Sequence, residues 1–181
     1  IEHRDGAVGR LFPGVDYKLE SIDGVAEGGK LLVKGPNIMK GYLNNDANDA
    51  FQALDGWYDT GDIVHEDDDG YLWIRGRAKR FAKVSGEMVS LTAVEDALAG
   101  AFPHYGEDCE IAVVAVTDAD KGEKLIAVST ESKLKPTEIR DAVAAAGLSN
   151  LCAPREIRIL KEIPKLGTGK LNHREVQRLV E

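Results

Sequence analysis

An α+β fold is predicted for this 181-residue chain by three observations. Its first 75 or so residues read as short β-type runs broken by glycine, with few helical patterns. After Lys79 the texture changes to amphipathic helical segments set among short, continuous apolar runs. Between the two lies "RGRAKRFAK", Arg75 to Lys83, with five basic residues in nine and no acid. The division therefore falls near Gly76 to Lys79, inside that run. The second part has the size of an independent domain, about 100 residues.

In the first part, "GGKLLVKG" (Gly28 to Gly35) predicts a strand bounded by glycines. "GWYDTGDIVHEDDDGYLWIRG" predicts two strands around an Asp69-Gly70 turn, because Asp-Gly between alternating apolar residues is a strong hairpin signal. Asn44 to Leu54 reads as a loop with a short helix. In the second part, "RFAKVSGEMVS" predicts a hairpin. "LTAVEDALAGAF" predicts a helix with Leu91, Val94, Leu98 and Phe102 on one face, capped by Thr92 with Glu95 three residues on. "EIAVVAV" and "KLIAVST" are expected as buried strands joined by a polar turn, Asp118 to Gly122. "KPTEIRDAVAAAG" is expected as a helix with Thr137 as N-cap, ending at Gly147. "EIRIL" is a short strand, and Asn172 with Glu175 caps a last helix carrying Val176, Leu179 and Val180.

Composition bounds the function. Apolar residues make up 43% and charged residues 30%, the balance of a globular protein. The formal net charge of −8 argues against a general nucleic-acid binder. Cys109 and Cys152 form no C-x-x-C pair and no disulfide framework, which fits a reducing cytosol. No apolar run approaches the ~18 residues of a membrane span, and no signal peptide is visible. The chain begins at Ile1 rather than Met, as a piece of a longer protein would.

Several motifs fail on spacing. "PKLGTGK" places Pro164 where a phosphate-cradling P-loop needs its first glycine, and Leu171 where it needs Ser or Thr. "HEDDDG" puts His65 and Gly76 at the first and twelfth places of a calcium loop, which demand an acid and a bidentate Glu. His3, His65, His104 and His173 show no metal spacing. "IMKG" around Lys40 lacks the second Met of a biotin-attachment hairpin. "WYDTGD" is more suggestive. Asp62 follows a Thr-Gly turn that would hold its carboxylate at a fixed, exposed position, where it could accept hydrogen bonds from two vicinal hydroxyls. An ordinary Asx-type turn between strands would look the same.

Taken together and in order, these stretches resemble the adenylate-forming superfamily of acyl-CoA synthetases, luciferases and peptide-synthetase adenylation domains. "GGKLLVKGPNIMKGYL" is similar to its G-E-L-x-V-x-G…G-Y motif, and "YDTGD" to Y-x-T-G-D. "GRAKRFAKVSGEMVSLTAVE" is similar to G-R-x-[DK]-x-x-I-K-x-x-G-x-x-V-x-x-x-E-I-E, and "PKLGTGK" to the terminal P-[KR]-x-x-x-G-K. The departures are Ala82 for the usual Ile and Ala93 for the first Glu of E-I-E. Within the superfamily, "GRAKRFAKVSGEMVSL" and "KGPNIMKGYL" are most similar to the bacterial acyl-[acyl-carrier-protein] synthetases fused to a 2-acylglycerophosphoethanolamine acyltransferase.

The resemblance implies that residues 1–76 are the end of a large domain's β-barrel subdomain and residues 77–181 a small mobile lid, hinged near Lys79. It implies an ATP-dependent, AMP-forming ligase that turns a fatty acid into an acyl-adenylate. The acyl group then passes to the phosphopantetheine thiol of an acyl carrier protein, or of CoA, in the service of lysophospholipid reacylation. Lys170 would be catalytic. Asp62, Thr60 and Arg77 would hold the nucleotide, Gly86 and Lys83 would line the pantetheine passage, and Arg80 and Lys83 would dock the carrier protein. The loop for the ATP phosphates and the Mg2+ site belong to an adenylation domain expected upstream, so the chain alone is expected to be inactive. The same resemblance puts the protein on the cytoplasmic side, with any inner-membrane attachment upstream. Two rival expectations are an ordinary fatty acyl-CoA synthetase and a non-catalytic module that only binds a carrier protein.

Overall fold

The structure, a computed structural model, describes residues 3–23, 25, 27–106, 109–120 and 122–181. The chain forms two compact units, Ile1–Lys79 and Arg80–Glu181.

The first unit is a four-stranded antiparallel meander in sequence order: β1 (Asp16–Glu20), β2 (Gly29–Lys34), β3 (Tyr58–Glu66) and β4 (Leu72–Arg77). Strand β1, "DYKLE", escapes sequence reading because its polar residues give little alternation; its pairing with the apolar β2 makes it a strand. One core gathers Leu31, Val33, Val64 and Leu72, while Leu32 and Ile63 are buried as well, so β2 and β3 are covered on both faces. Between β2 and β3 runs the helix α1 (Asn45–Gln52), capped by the Asn44 side chain, which accepts from the Ala47 N–H at 2.9 Å. Its one buried residue, Phe51, meets Tyr42 and Tyr58 edge-on. The β3–β4 turn forms at the expected place, with the Asp67 carboxylate accepting from the N–H groups of Asp69 and Tyr71. Gly28 has φ +90°, and a Cβ there would stand 2.0 Å from the Val64 carbonyl oxygen. Only glycine fits at that entrance to β2.

The second unit is a sheet between helices. Strands β5 (Phe81–Val84) and β6 (Glu87–Ser90) make a hairpin, β7 (Ile111–Asp118) and β8 (Gly122–Ser129) a longer one, and β9 (Glu156–Ile159) lies parallel to β8. Helices α2 (Leu91–Leu98) and α3 (Pro136–Ala145) cover one face and α4 (His173–Val180) the other. The period of two in β7 and β8 explains how one apolar run serves both faces. Val113, Leu125 and Ala127 pack toward α2 and α3, whereas Ala112, Val114, Ile126 and Val128 pack with Val176 and Val180 of α4. Burying such residues is what holds the unit together, and truncating Ile126 or Ile139, both 0% exposed, to Ala would cost about 2–5 kcal/mol.

The helix caps differ from the expected ones. Helix α2 is capped by Ser90, whose Oγ accepts from the Ala93 N–H, rather than by Thr92 with Glu95. Helix α3 starts two residues earlier than a Thr137 cap would allow: Pro136 takes its first position, and the Glu138 carboxylate accepts from the Lys135 N–H at 3.0 Å. Asn172 caps α4 as expected, accepting from the Glu175 N–H at 3.3 Å. Leu179 is 45% exposed, so the buried stripe of α4 is Val176 and Val180.

Candidate active site

The first cluster belongs to the first unit and grows from a bulge. Lys30 faces Ile63 across the β2–β3 ladder, and Leu32 faces Asp59, so Leu31 alone stands opposite Thr60, Gly61 and Asp62. Side chains stitch this irregular segment. Thr60 Oγ1 donates to the Leu31 carbonyl at 2.9 Å and accepts from the Asp62 N–H at 3.1 Å; Asp59 Oδ1 accepts from the Gly61 N–H at 2.9 Å. Gly61 takes φ +73°. The effect is to aim Asp62 at Arg77, its register partner on β4.

Arg77 Nε lies 3.0 Å from Asp62 Oδ1, and Arg77 Nη1 donates to the Thr60 carbonyl at 3.0 Å. The Asp62 side chain is only 16% exposed, against 66% for Arg77. The exposed carboxylate expected from the sequence is thus mostly covered, with the guanidinium over it as the outer group. A mostly covered carboxylate beside an exposed fork of N–H donors suits a ligand carrying both hydroxyls and negative charge.

The second cluster belongs to the second unit. Pro164 to Asn172 is a small closed hairpin rather than a loose loop. Lys165 and Leu171 form an isolated bridge. The Leu166 N–H donates to the Lys170 carbonyl, the Gly169 N–H to Leu166, and the Asn172 N–H to Pro164, each at 2.8 Å. Lys170 leaves the hairpin's last turn with an exposed side chain and leads directly into α4. One foot of the hairpin is pinned by Lys165 Nζ at 2.5 Å from Glu110 Oε1, and that carboxylate raises the Lys165 pKa. Beside the hairpin runs a groove of about 700 Å³, whose lining includes Glu95, Leu98, Ile111, Leu166, Lys170 and His173.

The remaining predicted residues lie at the start of the second unit or just before it. Lys79 is exposed in the 3-10 turn Ala78–Arg80, where the two compact units divide. Gly86 sits at the tip of the β5–β6 hairpin with Ser85; both have positive φ, 53° at Ser85 and 89° at Gly86, as a two-residue type I′ turn requires. An added Cβ at Gly86 would meet no atom within 4 Å among the described residues. Lys83 is exposed on β5.

Arg80, expected to dock a carrier protein, is largely covered. Its side chain is 16% exposed, with Nη2 2.6 Å from Glu95 Oε2 and Nη1 donating to the Val113 carbonyl at 3.2 Å. Its charge is committed inside the unit. The sequence offers Glu95 as part of a helix cap and His173 as a histidine without metal spacing. Glu95 instead accepts from the Val113 N–H at 2.7 Å and faces His173 Nδ1 at 3.6 Å. Burial pushes the His173 imidazole pKa down; the Glu95 carboxylate opposes that shift and the Arg80 guanidinium adds to it. These pairs span 15 and 78 residues, so no local pattern announces them. Among the described residues no group of three or more His, Cys, Asp or Glu could hold a metal ion, and no helix is long and apolar enough to cross a membrane.

Residues 109–170 match the family model described as the AMP-binding enzyme C-terminal domain. The chain is 34% identical to an indoleacetate–CoA ligase of Aromatoleum aromaticum, over 99% of this chain and 36% of that protein. It is 32% identical to a long-chain-fatty-acid–CoA ligase of Bacillus subtilis, over 97% and 32%. Among solved structures, it superposes on the o-succinylbenzoate CoA synthetase of Bacillus subtilis in complex with its acyl-adenylate intermediate, with a TM-score of 0.72 and 26% identity. That match covers 94% of this chain and 35% of the synthetase. The chain therefore spans about a third of the length of these relatives. It carries an AMP-binding enzyme C-terminal domain, and its homologues are the acyl- and aryl-CoA ligases of the adenylate-forming superfamily.

Proposed function

We propose that this chain is the C-terminal part of an ATP-dependent, AMP-forming ligase that activates a fatty acid as its acyl-adenylate and delivers it to a phosphopantetheine thiol. The observation that carries the reading is Lys170, held on a closed hairpin with its ammonium exposed. In the first half-reaction a carboxylate attacks a phosphate, one anion approaching another, and a positioned cation between them lowers the barrier. Removing one such preorganised donor costs about 3–4 kcal/mol in comparable sites. Asp62, with Arg77 and the Thr60 that shapes its turn, would hold the ribose hydroxyls. Lys79 would be the pivot on which residues 77–181, the lid, swing aside for the thiol, and the Gly86 hairpin with Lys83 would line its passage. Mg2+ and the ATP phosphates would be held by an upstream adenylation domain.

CoA is the better-supported acceptor. The relatives named above are CoA ligases, and Arg80, the main candidate for docking an acidic carrier protein, is turned inward on Glu95. Delivery to acyl carrier protein for lysophospholipid reacylation rests on the wording of two stretches and, among docking charges, on Lys83. The direct test is fatty-acid-dependent exchange of pyrophosphate into ATP by the enzyme bearing this chain, followed by transfer to each acceptor. Exchange with transfer to CoA is expected. Absence of exchange across fatty acids of all lengths would remove the ligase reading, and transfer to acyl carrier protein alone, weakened by Lys83→Glu, would reverse the choice of acceptor.

A further inference from the structure

The two ends of the second unit that the proposed chemistry uses are joined by a short polar chain. Arg80 follows the proposed pivot Lys79 directly, and His173 comes three residues after Lys170 and opens α4. Glu95, on α2, stands between them. One of its oxygens faces Arg80 at 2.6 Å; the other accepts from Val113 at 2.7 Å and faces His173 at 3.6 Å. On one side Glu95 is held by the ion pair with Arg80 and by the hydrogen bond from Val113. Arg80 and Glu95 together satisfy the outward carbonyl and N–H of Val113, at the edge of β7 turned away from β8. Two residues on, Gln177 of α4 donates to the Ala115 carbonyl at 2.7 Å. The strand edge is therefore closed by side chains from three elements, which also protects it from pairing with another chain.

The other side is loose. His173 Nδ1 is covered and has no hydrogen-bond partner among the described residues, and its 3.6 Å separation from Glu95 is beyond hydrogen-bond range. A covered imidazole nitrogen a few tenths of an ångström short of a carboxylate is a contact that a small movement of the hairpin would close. Leaving a covered nitrogen unpartnered costs free energy that closing this contact would recover.

We propose that Glu95, with Arg80 and His173, is a positioning group for Lys170: it fixes the foot of the Lys170 hairpin to the segment that leaves the pivot. The proposal rests on the reading of Lys170 given above. Glu95 and His173 touch no substrate in it; they act by setting where the ammonium stands. A misplacement of about 1 Å at a reacting centre can cost on the order of a hundredfold in rate. The substitution Glu95→Gln keeps the size and the acceptor for Val113 and removes the charge that faces Arg80 and His173. His173→Asn removes the imidazole that faces Glu95 and leaves Arg80–Glu95 untouched, so it carries the test should the first variant strand Arg80 and fail to fold.

Two measurements decide the matter. In the 181-residue chain, hydrogen exchange at the hairpin amides of Leu166, Gly169 and Asn172 should speed up several-fold in either variant, while the β7–β8 amides keep their protection. In the complete enzyme, adenylate formation should fall roughly ten- to a hundredfold in kcat with KM for ATP little changed, and thiol transfer from preformed acyl-adenylate should be spared. A group that merely stabilised the fold would depress both half-reactions alike. Unchanged exchange at the hairpin, or equal loss in both half-reactions, overturns the positioning role. Lys170→Ala run alongside separates the two claims: if it leaves adenylate formation intact, the reading of Lys170 fails and the positioning proposal with it. If it abolishes that step while Glu95→Gln and His173→Asn do not slow it, the positioning proposal alone fails.

Discussion

Asp62 shows how much a single side chain here depends on its neighbours. Its direction comes from a bulge that Thr60 and Asp59 stitch through three side-chain hydrogen bonds, and its charge is met by Arg77 at 3.0 Å. If the carboxylate accepts the hydroxyls of a ribose, Asp62→Ala should weaken AMP binding by about 1.5–3 kcal/mol, the usual worth of a hydrogen bond to a charged group. Calorimetric titration of AMP into the complete enzyme measures this, and unchanged affinity would return the motif to the status of a structural turn. Arg80 is the counter-case. In sequence it is one of five cations in a basic run, and in the structure it is the one committed to Glu95, because its carbonyl and carboxylate partners lie 33 and 15 residues away. A one-dimensional charge count cannot see that.

At the scale of elements, the β5–β6 hairpin separates local geometry from function. Gly86 takes φ 89° and an added Cβ would have open space, so Gly86→Ala should cost about 1–2 kcal/mol, from backbone conformation alone. If the hairpin lines a pantetheine passage, the same substitution should slow thiol transfer far more than that loss explains, with adenylate formation spared. Chemical denaturation together with the two half-reactions checks it, and a thiol-transfer rate that simply follows stability would argue against the passage. The elements legible in the sequence were those with a strong local signature. Asp69-Gly70 gave the β3–β4 turn, the apolar runs gave β7 and β8, and the spacing of Leu91, Val94 and Leu98 gave α2. Strand β1 was not legible, because its strand character comes from β2, and two of three expected caps shifted because Ser90 and Pro136 competed locally with Thr92 and Thr137. Of the candidate site, motif order singles out Lys170, Asp62 and Arg77; Glu95 and His173 meet only through tertiary folding.

For the whole molecule, the chain's division after Lys79 is the feature on which the two-step reading turns. Lys79→Pro would fix φ at the proposed pivot. In the complete enzyme it should slow the half-reaction that needs the swing and leave the other largely intact, and stopped-flow measurement of each step in isolation distinguishes this from a general loss. The central claim, however, concerns Lys170. A cation placed between two anions is needed when the carboxylate meets the α-phosphate and not when a thiol displaces AMP. The most direct measurement is therefore the rate of each half-reaction in Lys170→Ala, with acyl-adenylate supplied ready-made for the second. Adenylate formation should fall by at least two to three orders of magnitude, about 3–4 kcal/mol, while thiol transfer stays within a fewfold of wild type. Equal loss in both steps, or none in the first, would contradict the account.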